Sequence, residues 1–446
     1  MSADATTSLG RATDFVASAS FDDPTNRGYA RVLLADALTL ALAADTVPGS
    51  TELFELGAGQ GDHVAWFSGR GLGAADAVQA NAAAICARFQ DDTEMSSWSH
   101  PGSFVVPAAV AAGIETGATY GQVIDGLVAG YAMTVWLGGE GEVALAMMAT
   151  GRRPSPSFGT GGAAAAASRA AGLTPEQTAH AVSGALLVGR GSLHSVGSGG
   201  EDWRLHNPGA ARDGLLYALA ARAGMTAGPG ALDAKNGFLR MFAHLDEVPP
   251  VMEKTPTEGM IRDVWTKALP TLGDNMAVAL AARELHGRLA GAPIEHVTVR
   301  MNEHFARFPG TQTPPPYPTI TSALSSVRFV TAQLLTHGTL TFDDYARRND
   351  AEVGELAASL EVVPDIDLDF RDAVVTVVSG DDEHTCRASD LPSTHFFRDA
   401  DVQRTATREL LGDAGVAVVD AVLTADESTP CSEVLHPVLR TFHAQR

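Results

Sequence analysis

The chain has 446 residues, of which 45% are apolar and 19% are charged. That apolar share can build a sizeable core and excludes wholesale disorder, and the length predicts two to four domains at roughly 100–200 residues each. The 53 acidic and 31 basic side chains give a net charge of −22, which repels phosphate backbones, so we expect no nucleic-acid partner.

No sequence feature predicts secretion, a membrane span or a metal centre. The first residues lack a basic segment followed by an apolar stretch, and no run of about 18 apolar residues occurs. The 3 cysteines lie far apart without a CxxC pair, and the 14 histidines form no HExxH motif. We therefore expect a cytoplasmic, metal-independent protein with no membrane partner.

From about residue 10 to 245 the apolar residues recur with a helical period. The predicted helices of this part cover residues 33–42, 75–89, 104–114, 120–137, 161–171, 209–223 and 229–242. A further helix starts at Thr174, which is typical of an N-cap, followed by Pro175 in the first turn and Gln177 at the capping-box position.

After about residue 270 the pattern changes to a mixture of helices and strands. Alternating residues 294–301 and 373–378 predict two half-buried strands, with residues 384–388 as a hairpin partner of the second. Helices are predicted at residues 276–289, 320–335 and 402–423, and again at the C-terminal end. This order indicates a mainly α protein with an inserted α+β domain: a helical domain of residues 1–268 and 401–446 around an insertion of residues 269–400.

Two glycine-rich segments allow more than one interpretation. Residues 54–61 look like the cofactor loop of a class I methyltransferase, but that loop needs a preceding strand, for which only residues 51–56 are available. We therefore favour a plain glycine turn there. Residues 189–200 are either a flexible loop or a loop over a pocket, and they lack the GK[ST] ending of a phosphate loop.

The most informative polar stretch lies between two predicted helices. It contains Asp91, Asp92, Thr93, Glu94, Ser99 and His100. A histidine with carboxylates nearby can act as an acid or base near neutral pH, and catalytic groups often lie on such loops. The same residue types also cap helices and form turns, so both interpretations stay open.

Several stretches together resemble the MmgE/PrpD family, which includes 2-methylcitrate dehydratase, cis-aconitate decarboxylase and iminodisuccinate epimerase. Their order and spacing cover the chain from about residue 10 to 340. The matching stretches are Asn81-Ala82, Asp91-Asp92-Thr93, His100-Pro101-Gly102, Gly130-Tyr131, residues 156–160, Leu205-His206, residues 209–212, Gly237-Phe238, and residues 267–271, which are similar to a Lys-x-Tyr-Pro-Thr element.

The resemblance implies a large all-helical domain built from both chain ends, an inserted α+β lid, and usually a homodimer. It also implies an active site at the domain junction, without cofactor or metal, that acts on polycarboxylate acids. On this basis His100 is the expected acid or base, oriented by Asp91 or Asp92, with His206 as a second candidate. Lys267 matches the family's site lysine, and the expected substrate-binding residues are Thr93, Ser99, Arg153, Trp203 and Arg204.

Two departures bear on the reaction. Arg153 stands where decarboxylase-like members have a histidine, and Trp203 stands where they have a lysine, with Arg204 beside it. An arginine can hold a carboxylate with two hydrogen bonds but does not readily exchange protons. We therefore expect an enzyme of the dehydratase, isomerase, epimerase or decarboxylase type that transfers a proton next to a carboxylate, on a substrate larger or less charged than a tricarboxylate.

Two other interpretations remain open at this stage. A family member diverged into specialised metabolism would catalyse elimination, isomerisation or cyclisation on a larger substrate, whose apolar part Trp98, Phe158 and Trp203 would contact. Alternatively, the two substitutions at Arg153 and Trp203 would suit a non-catalytic carboxylate-binding protein.

Overall fold

A computed structural model describes residues 6–47 and 50–445. In chain order, its α-helices are α1 (Ser8–Ser18), α2 (Pro24–Leu42), α3 (Ser50–Phe54), α4 (Ala74–Cys86), α5 (Gly102–Thr116), α6 (Tyr120–Leu137), α7 (Glu142–Ala149), α8 (Pro154–Ala170), α9 (Pro175–Leu186), α10 (His194–Ser198), α11 (His206–Arg222), α12 (Gly273–Leu289), α13 (Glu303–Ala306), α14 (Ile320–Ser325), α15 (Val327–His337), α16 (Ala351–Ser359), α17 (Ala400–Thr424) and α18 (Cys431–Ala444). The strands are β1 (Gln60–Val64), β2 (Gly71–Leu72), β3 (Thr93–Glu94), β4 (Val264–Trp265), β5 (His296–Asn302), β6 (Glu361–Asp365), β7 (Ala373–Ser379) and β8 (Asp382–Arg387).

The contacts within the chain divide it into two units. The first comprises residues 6–47, 50–192, Arg204–Thr266 and 398–445, and the second comprises Leu193–Trp203 and Lys267–Phe397. The two main boundaries therefore lie at 266/267 and 397/398, next to the predicted 268/269 and 400/401. The short segment Leu193–Trp203 differs from the prediction, because it belongs to the second unit although the sequence pattern placed it in the first.

The first unit is helical and is built around α8, which packs against α5, α6, α9 and α11. Small residues permit this close packing: residues 163–167 of α8 are alanines that are fully buried. A Cβ atom at Gly130 of α6 would come within 2.6 Å of the Ala166 methyl group. From the far end of the chain, α17 packs against α2, so residues from both ends contribute to this unit.

Helix ends with strong local signals agree with the sequence predictions. Helix α6 spans the predicted residues 120–137, and α5 ends where Gly117 adopts a φ of 68°. At the start of α9, the Thr174 side chain accepts a hydrogen bond from the Gln177 N–H, and the Gln177 side chain accepts one from the Thr174 N–H. This reciprocal capping box is the one that the sequence predicted.

One predicted helix of the first unit is wrong. Residues 229–242 form turns followed by a π-helix at Leu239–Ala243, because the chain turns tightly at Gly237, whose N–H donates to the Ala234 carbonyl and where a Cβ atom would lie 2.8 Å from the Ala234 nitrogen. Residues 51–56 form no strand, since α3 covers most of them. The glycine-rich segment after α3 leads into the antiparallel pair β1–β2, which confirms the plain glycine turn.

The second unit contains a four-stranded sheet in the order β6-β5-β7-β8. Strand β5 is parallel to β6 and antiparallel to β7, and β7 forms the predicted hairpin with β8. Helix α12 packs against β7 and β8, and α15 packs against α12 and α16. The sequence missed β6, which carries Pro364, a residue that a sheet tolerates at an edge strand.

Residues 320–335 form two helices rather than the single one predicted. Ser326 separates α14 from α15 with extended backbone angles, and its side chain accepts the N–H of Phe329 as the N-cap of α15. In the described part of the chain, no helix combines the length and the apolar character that crossing a membrane requires. These elements make the protein mainly α-helical with small sheets.

Candidate active site

Most of the predicted site residues lie in the first unit, on the segment between α4 and α5. Asp91, Asp92, Thr93 and Ser99 are buried, and His100 is half-buried just before α5. The segment folds tightly because the N–H of residue 94 donates to the Ser99 carbonyl and the N–H of Ser99 donates back. Residues 93–94 also pair with β4, which anchors the segment to the rest of the unit.

The His100 imidazole is oriented by a backbone group. Its Nδ1 atom lies 3.1 Å from the carbonyl oxygen of Asp92, and its ring meets that of Phe89 edge-on at 5.9 Å. Because a carbonyl oxygen can only accept, we assign the hydrogen of the neutral ring to Nδ1. Nε2 is then the ring nitrogen that can take up a proton.

The Asp92 carboxyl group serves a different purpose from the one predicted. Its Oδ1 accepts the N–H of Gly102 at 2.7 Å, and its Oδ2 accepts the hydroxyl of Tyr131 at 2.6 Å. Burial raises the pKa of Asp92 to about 8, although these two hydrogen bonds lower it. The contact from Asp92 to the imidazole is therefore made by its backbone carbonyl, while its carboxyl group joins the start of α5 to α6.

Thr93 and Ser99 contribute their side chains to the fold of the same segment. The Thr93 hydroxyl donates to the Ser99 carbonyl at 3.2 Å, and the Ser99 and Ser97 hydroxyls lie 2.5 Å apart. The Glu94 carboxylate accepts the N–H groups of Ser96 and Ser97, and burial raises its pKa. Thr93 and Ser99 are thus engaged with neighbouring residues in this structure.

Asp91, Arg153 and Arg204 meet around the end of α4. They are 2%, 7% and 5% exposed. All three charges act on the thiol of Cys86, whose pKa is raised to about 12 by burial and by Asp91 and lowered by the two guanidinium groups. Arg204 also donates from Nη1 to the carbonyl of Ala87 at 2.7 Å. Two buried cations and one buried carboxyl group therefore share one region of the first unit.

A glycine loop brings His206 next to Arg153. Gly191 has a φ of 92°, and its carbonyl accepts the N–H of Arg153. A Cβ atom at this position would lie 2.5 Å from Pro156 Cγ and 3.4 Å from both Arg153 Cβ and His206 Nδ1. The first part of the predicted loop 189–200 thus packs on the starts of α8 and α11, whereas residues 194–198 form α10.

Lys267 and Trp203 belong to the second unit. Lys267 is fully buried, and its Nζ donates to the Thr271 carbonyl at 3.1 Å. In the first turn of α12, burial raises the pKa of Asp274 to about 7, against the lowering effect of the Lys267 charge. The Trp203 indole N–H donates to the Thr321 hydroxyl at 3.1 Å, so its polar atom is engaged inside this unit. Phe158 is fully buried in α8 of the first unit, which indicates a core position.

Sequence reasoning missed Tyr131, Ser155 and Asn207 as partners of the polar segment. Tyr131 belongs to the Gly130-Tyr131 stretch and Asn207 follows Leu205-His206, but their contacts with Asp92 and Ser103 span 39 and 104 residues of sequence. No local pattern predicts such pairs. Within the described ranges, no three His, Cys, Asp or Glu side chains come together in a way that could hold a metal ion.

A comparison with known families decides the relationship. The model of the MmgE/PrpD N-terminal domain matches residues 10–250, which is more than half of the chain. The chain belongs to the MmgE/PrpD family. The resemblance inferred from the sequence motifs is thereby confirmed.

Among curated MmgE/PrpD relatives, two sequences of cis-aconitate decarboxylase from Aspergillus terreus are each 31% identical to this chain over 199 residues. The alignment covers 43% of this chain and 40% of the relative. The matched region thus spans less than half the length of these relatives.

Proposed function

We propose that this MmgE/PrpD protein is an enzyme of the lyase or isomerase type that transfers a proton next to a carboxylate group of a small carboxylic acid. The observation that carries the proposal is the combination, in one unit, of an oriented His100 imidazole with the buried cations Arg153 and Arg204. Membership of the family and the similarity to decarboxylases support the same class of reaction.

In the proposed reaction the two arginines bind a substrate carboxylate through their paired N–H donors. Nε2 of His100 removes a proton from the carbon next to that carboxylate, and the electron pair of the broken C–H bond moves into the carboxylate to give an enolate-like species. The two guanidinium groups stabilise this added negative charge, which water would stabilise less well in a buried site. Loss of a leaving group then completes an elimination, and return of a proton completes an isomerisation or epimerisation.

The other predicted residues have supporting roles in this proposal. Asp91 balances the charge of the two arginines, Asp92 orients His100, and His206 is a second proton-transfer group. Lys267 binds a further carboxylate, Thr93 and Ser99 donate to the substrate on binding, and Trp203 limits its size. We further propose that the chemistry uses side chains of the chain alone, and that the protein works as a cytoplasmic homodimer.

A decarboxylation is the second candidate, favoured by the similarity to cis-aconitate decarboxylase. In that case the bond that breaks joins the carboxylate to its carbon, and the protonated His100 delivers a proton to the resulting carbanion. Arg153 favours a substrate that differs from the tricarboxylate of those relatives. A diverged enzyme for a larger acid, or a non-catalytic carboxylate-binding protein, would share the same two arginines.

Proton NMR of the purified protein in D2O with 2-methylcitrate, cis-aconitate, citrate and iminodisuccinate separates these candidates. Deuterium incorporation without net change indicates an isomerase or epimerase, loss of water indicates a dehydratase, and loss of carbon dioxide indicates a decarboxylase. Binding of an acid without any of these changes contradicts the proposed enzyme and supports a binding protein.

A further inference from the structure

Both backbone polar groups of His100 are held by a ring of three side chains. The N–H of His100 donates to Ser155 Oγ at 3.0 Å, and the Ser155 hydroxyl donates to Asn207 Oδ1 at 3.2 Å. The Asn207 amide donates from Nδ2 to Ser103 Oγ at 2.9 Å, and the Ser103 hydroxyl donates to the His100 carbonyl at 2.7 Å. This series of hydrogen bonds starts at the backbone N–H of His100 and returns to its carbonyl; we call it the Ser103–Ser155–Asn207 ring.

All hydrogen bonds of the Ser103–Ser155–Asn207 ring run in one direction. Each hydroxyl accepts one hydrogen and donates its own, and the Asn207 amide fits in only one of its two orientations, with oxygen toward Ser155 and nitrogen toward Ser103. Such a chain of bonds strengthens its members mutually. Ser103 and Ser155 are fully buried and Asn207 is 1% exposed, so water does not readily replace a missing member.

The Ser103–Ser155–Asn207 ring joins three helices at His100, the proposed acid or base. Ser103 lies in the first turn of α5, Ser155 in the first turn of α8 and Asn207 in the first turn of α11. Fixing both backbone groups of His100 also fixes the direction in which its side chain leaves the chain. The Nδ1 atom then meets the Asp92 carbonyl, and Asp92 is itself held by Gly102 and Tyr131.

We propose that Asn207, acting through Ser155 and Ser103, is the positioning residue that keeps the His100 imidazole in its Nδ1–H form, with the lone pair on Nε2. Asn207 lies between the two serines of the ring, so its loss removes the hydrogen-bond partner of Ser155 and that of Ser103 at once. The catalytic consequence rests on the proposed function, whereas the effect on the imidazole does not.

The test is a long-range proton–nitrogen NMR spectrum of protein labelled with ¹⁵N-histidine, with the His100 signals assigned from the variant His100→Asn. The variants are Asn207→Ala, Ser155→Ala and Ser155→Thr, which keeps the hydroxyl. Ser168→Ala is the matched control, because Ser168 lies on the same helix α8, is equally buried, and its Oγ makes no hydrogen bond in the described structure.

We expect the wild type, Ser168→Ala and Ser155→Thr to show His100 in the Nδ1–H form. Asn207→Ala and Ser155→Ala should shift the His100 signals toward the Nε2–H form, which neutral histidine prefers in the absence of constraints. On a substrate found by the D2O experiment, Asn207→Ala should lower kcat by about 100-fold with little change in KM, because the base is misplaced while the arginines still bind the acid.

An unchanged Nδ1–H signal in a folded Asn207→Ala protein would overturn the inference, since the ring would then be a purely structural feature. Loss of thermal stability in that variant without a change of tautomer would lead to the same conclusion. If the tautomer shifts as expected but no acid is turned over by the wild type, the proposed function fails and the positioning role stands.

Discussion

At the scale of single residues, Asp92 combines two tasks, whereas the sequence predicted only that Asp91 or Asp92 orients His100. The backbone carbonyl orients His100, and the carboxyl group binds Gly102 and Tyr131. The sequence motif grouped Asp91, Asp92 and His100, and all three lie on the segment between α4 and α5. Which atom contacts the imidazole depends on the turn between residues 92 and 100, and no pattern of residue types specifies that turn.

The raised pKa of Asp92 predicts a pH dependence of stability. Its ordinary pKa is 3.8, and burial raises it to about 8, so between these values the folded state holds a proton that the unfolded state has lost. The free energy of unfolding should therefore fall as the pH rises through this window, by up to about 1.4 kcal/mol per pH unit from this group. Asp92→Asn removes this contribution.

Urea unfolding of the wild type and Asp92→Asn at pH 5, 6 and 7 measures the difference directly. Asp274 and Glu94, whose pKa values are also raised by burial, titrate in both proteins and cancel in the comparison. We expect the wild type to lose stability relative to the variant with rising pH. Parallel profiles would show that the Asp92 pKa is not raised.

A second prediction at this scale concerns the proposed carboxylate-binding role of Arg153. Replacing it with glutamine removes a charged donor, and a hydrogen bond to a charged group contributes about 1.5–3 kcal/mol, so KM should rise by roughly 10- to 100-fold. The neighbouring Arg152, whose guanidinium lies over the Phe242 ring at 4.9 Å, provides the control Arg152→Gln. Equal KM values for the two variants would contradict the assignment of Arg153.

At the scale of elements, a pair of glycine variants tests whether the close packing of the loop before α10 against Pro156 shapes the candidate site. Gly191→Ala places a methyl group 2.5 Å from Pro156 Cγ at a φ of 92°, whereas Gly151→Ala meets no atom within 4 Å at a φ of 78°. Both variants carry the strain of a positive φ, roughly 1–3 kcal/mol. Only Gly191→Ala should also displace the loop beside Arg153 and His206.

Thermal unfolding and kinetics of the two glycine variants separate these effects. We expect a similar fall in Tm from backbone strain in both, a further fall in Gly191→Ala, and loss of activity in Gly191→Ala alone. Full activity in that variant would mean that the loop does not support the candidate site.

Elements with strong local signals were predictable, and those decided by tertiary packing were not. The capping box at Thr174 and the alternating residues 373–378 specify α9 and β7 from local chemistry. Residues 229–242 have a helical pattern of apolar residues, but the tight turn at Gly237 interrupts a continuous helix. Strand β6 has only 5 residues, one of which is Pro364, and its pairing with the distant β5 has no local sequence signal.

At the scale of the whole molecule, the order helices, strands, helices indicated an insertion within a helical unit. Thr266 and Arg398, the two residues of the first unit that flank the segment Lys267–Phe397, lie side by side. The N–H of Arg398 donates to the Thr266 hydroxyl at 3.1 Å. Arg398 also forms a buried ion pair with Asp36 of α2 at 2.6 Å. The sequence spacing of these residues, 362 positions apart, gives no indication that they meet.

This buried ion pair predicts a large effect on stability. Arg398→Met removes the cation that pairs with the buried Asp36, and breaking such a pair costs about 3–5 kcal/mol. The double variant Asp36→Leu, Arg398→Met should recover part of that loss, because neither charge remains. Urea unfolding of both variants checks this, and a single variant within 1 kcal/mol of the wild type would show that the pair is not buried as described.

The central claim is that His100 transfers a proton at a carbon next to a carboxylate. The most direct test is deuterium incorporation from D2O into the four carboxylic acids named above by the wild type and by His100→Asn, which can keep a donor toward the Asp92 carbonyl while lacking Nε2. We predict deuterium incorporation, or the matching loss of water or carbon dioxide, with the wild type and its loss in the folded variant. Equal rates in both proteins, or binding of an acid by the wild type without any exchange, would contradict the claim.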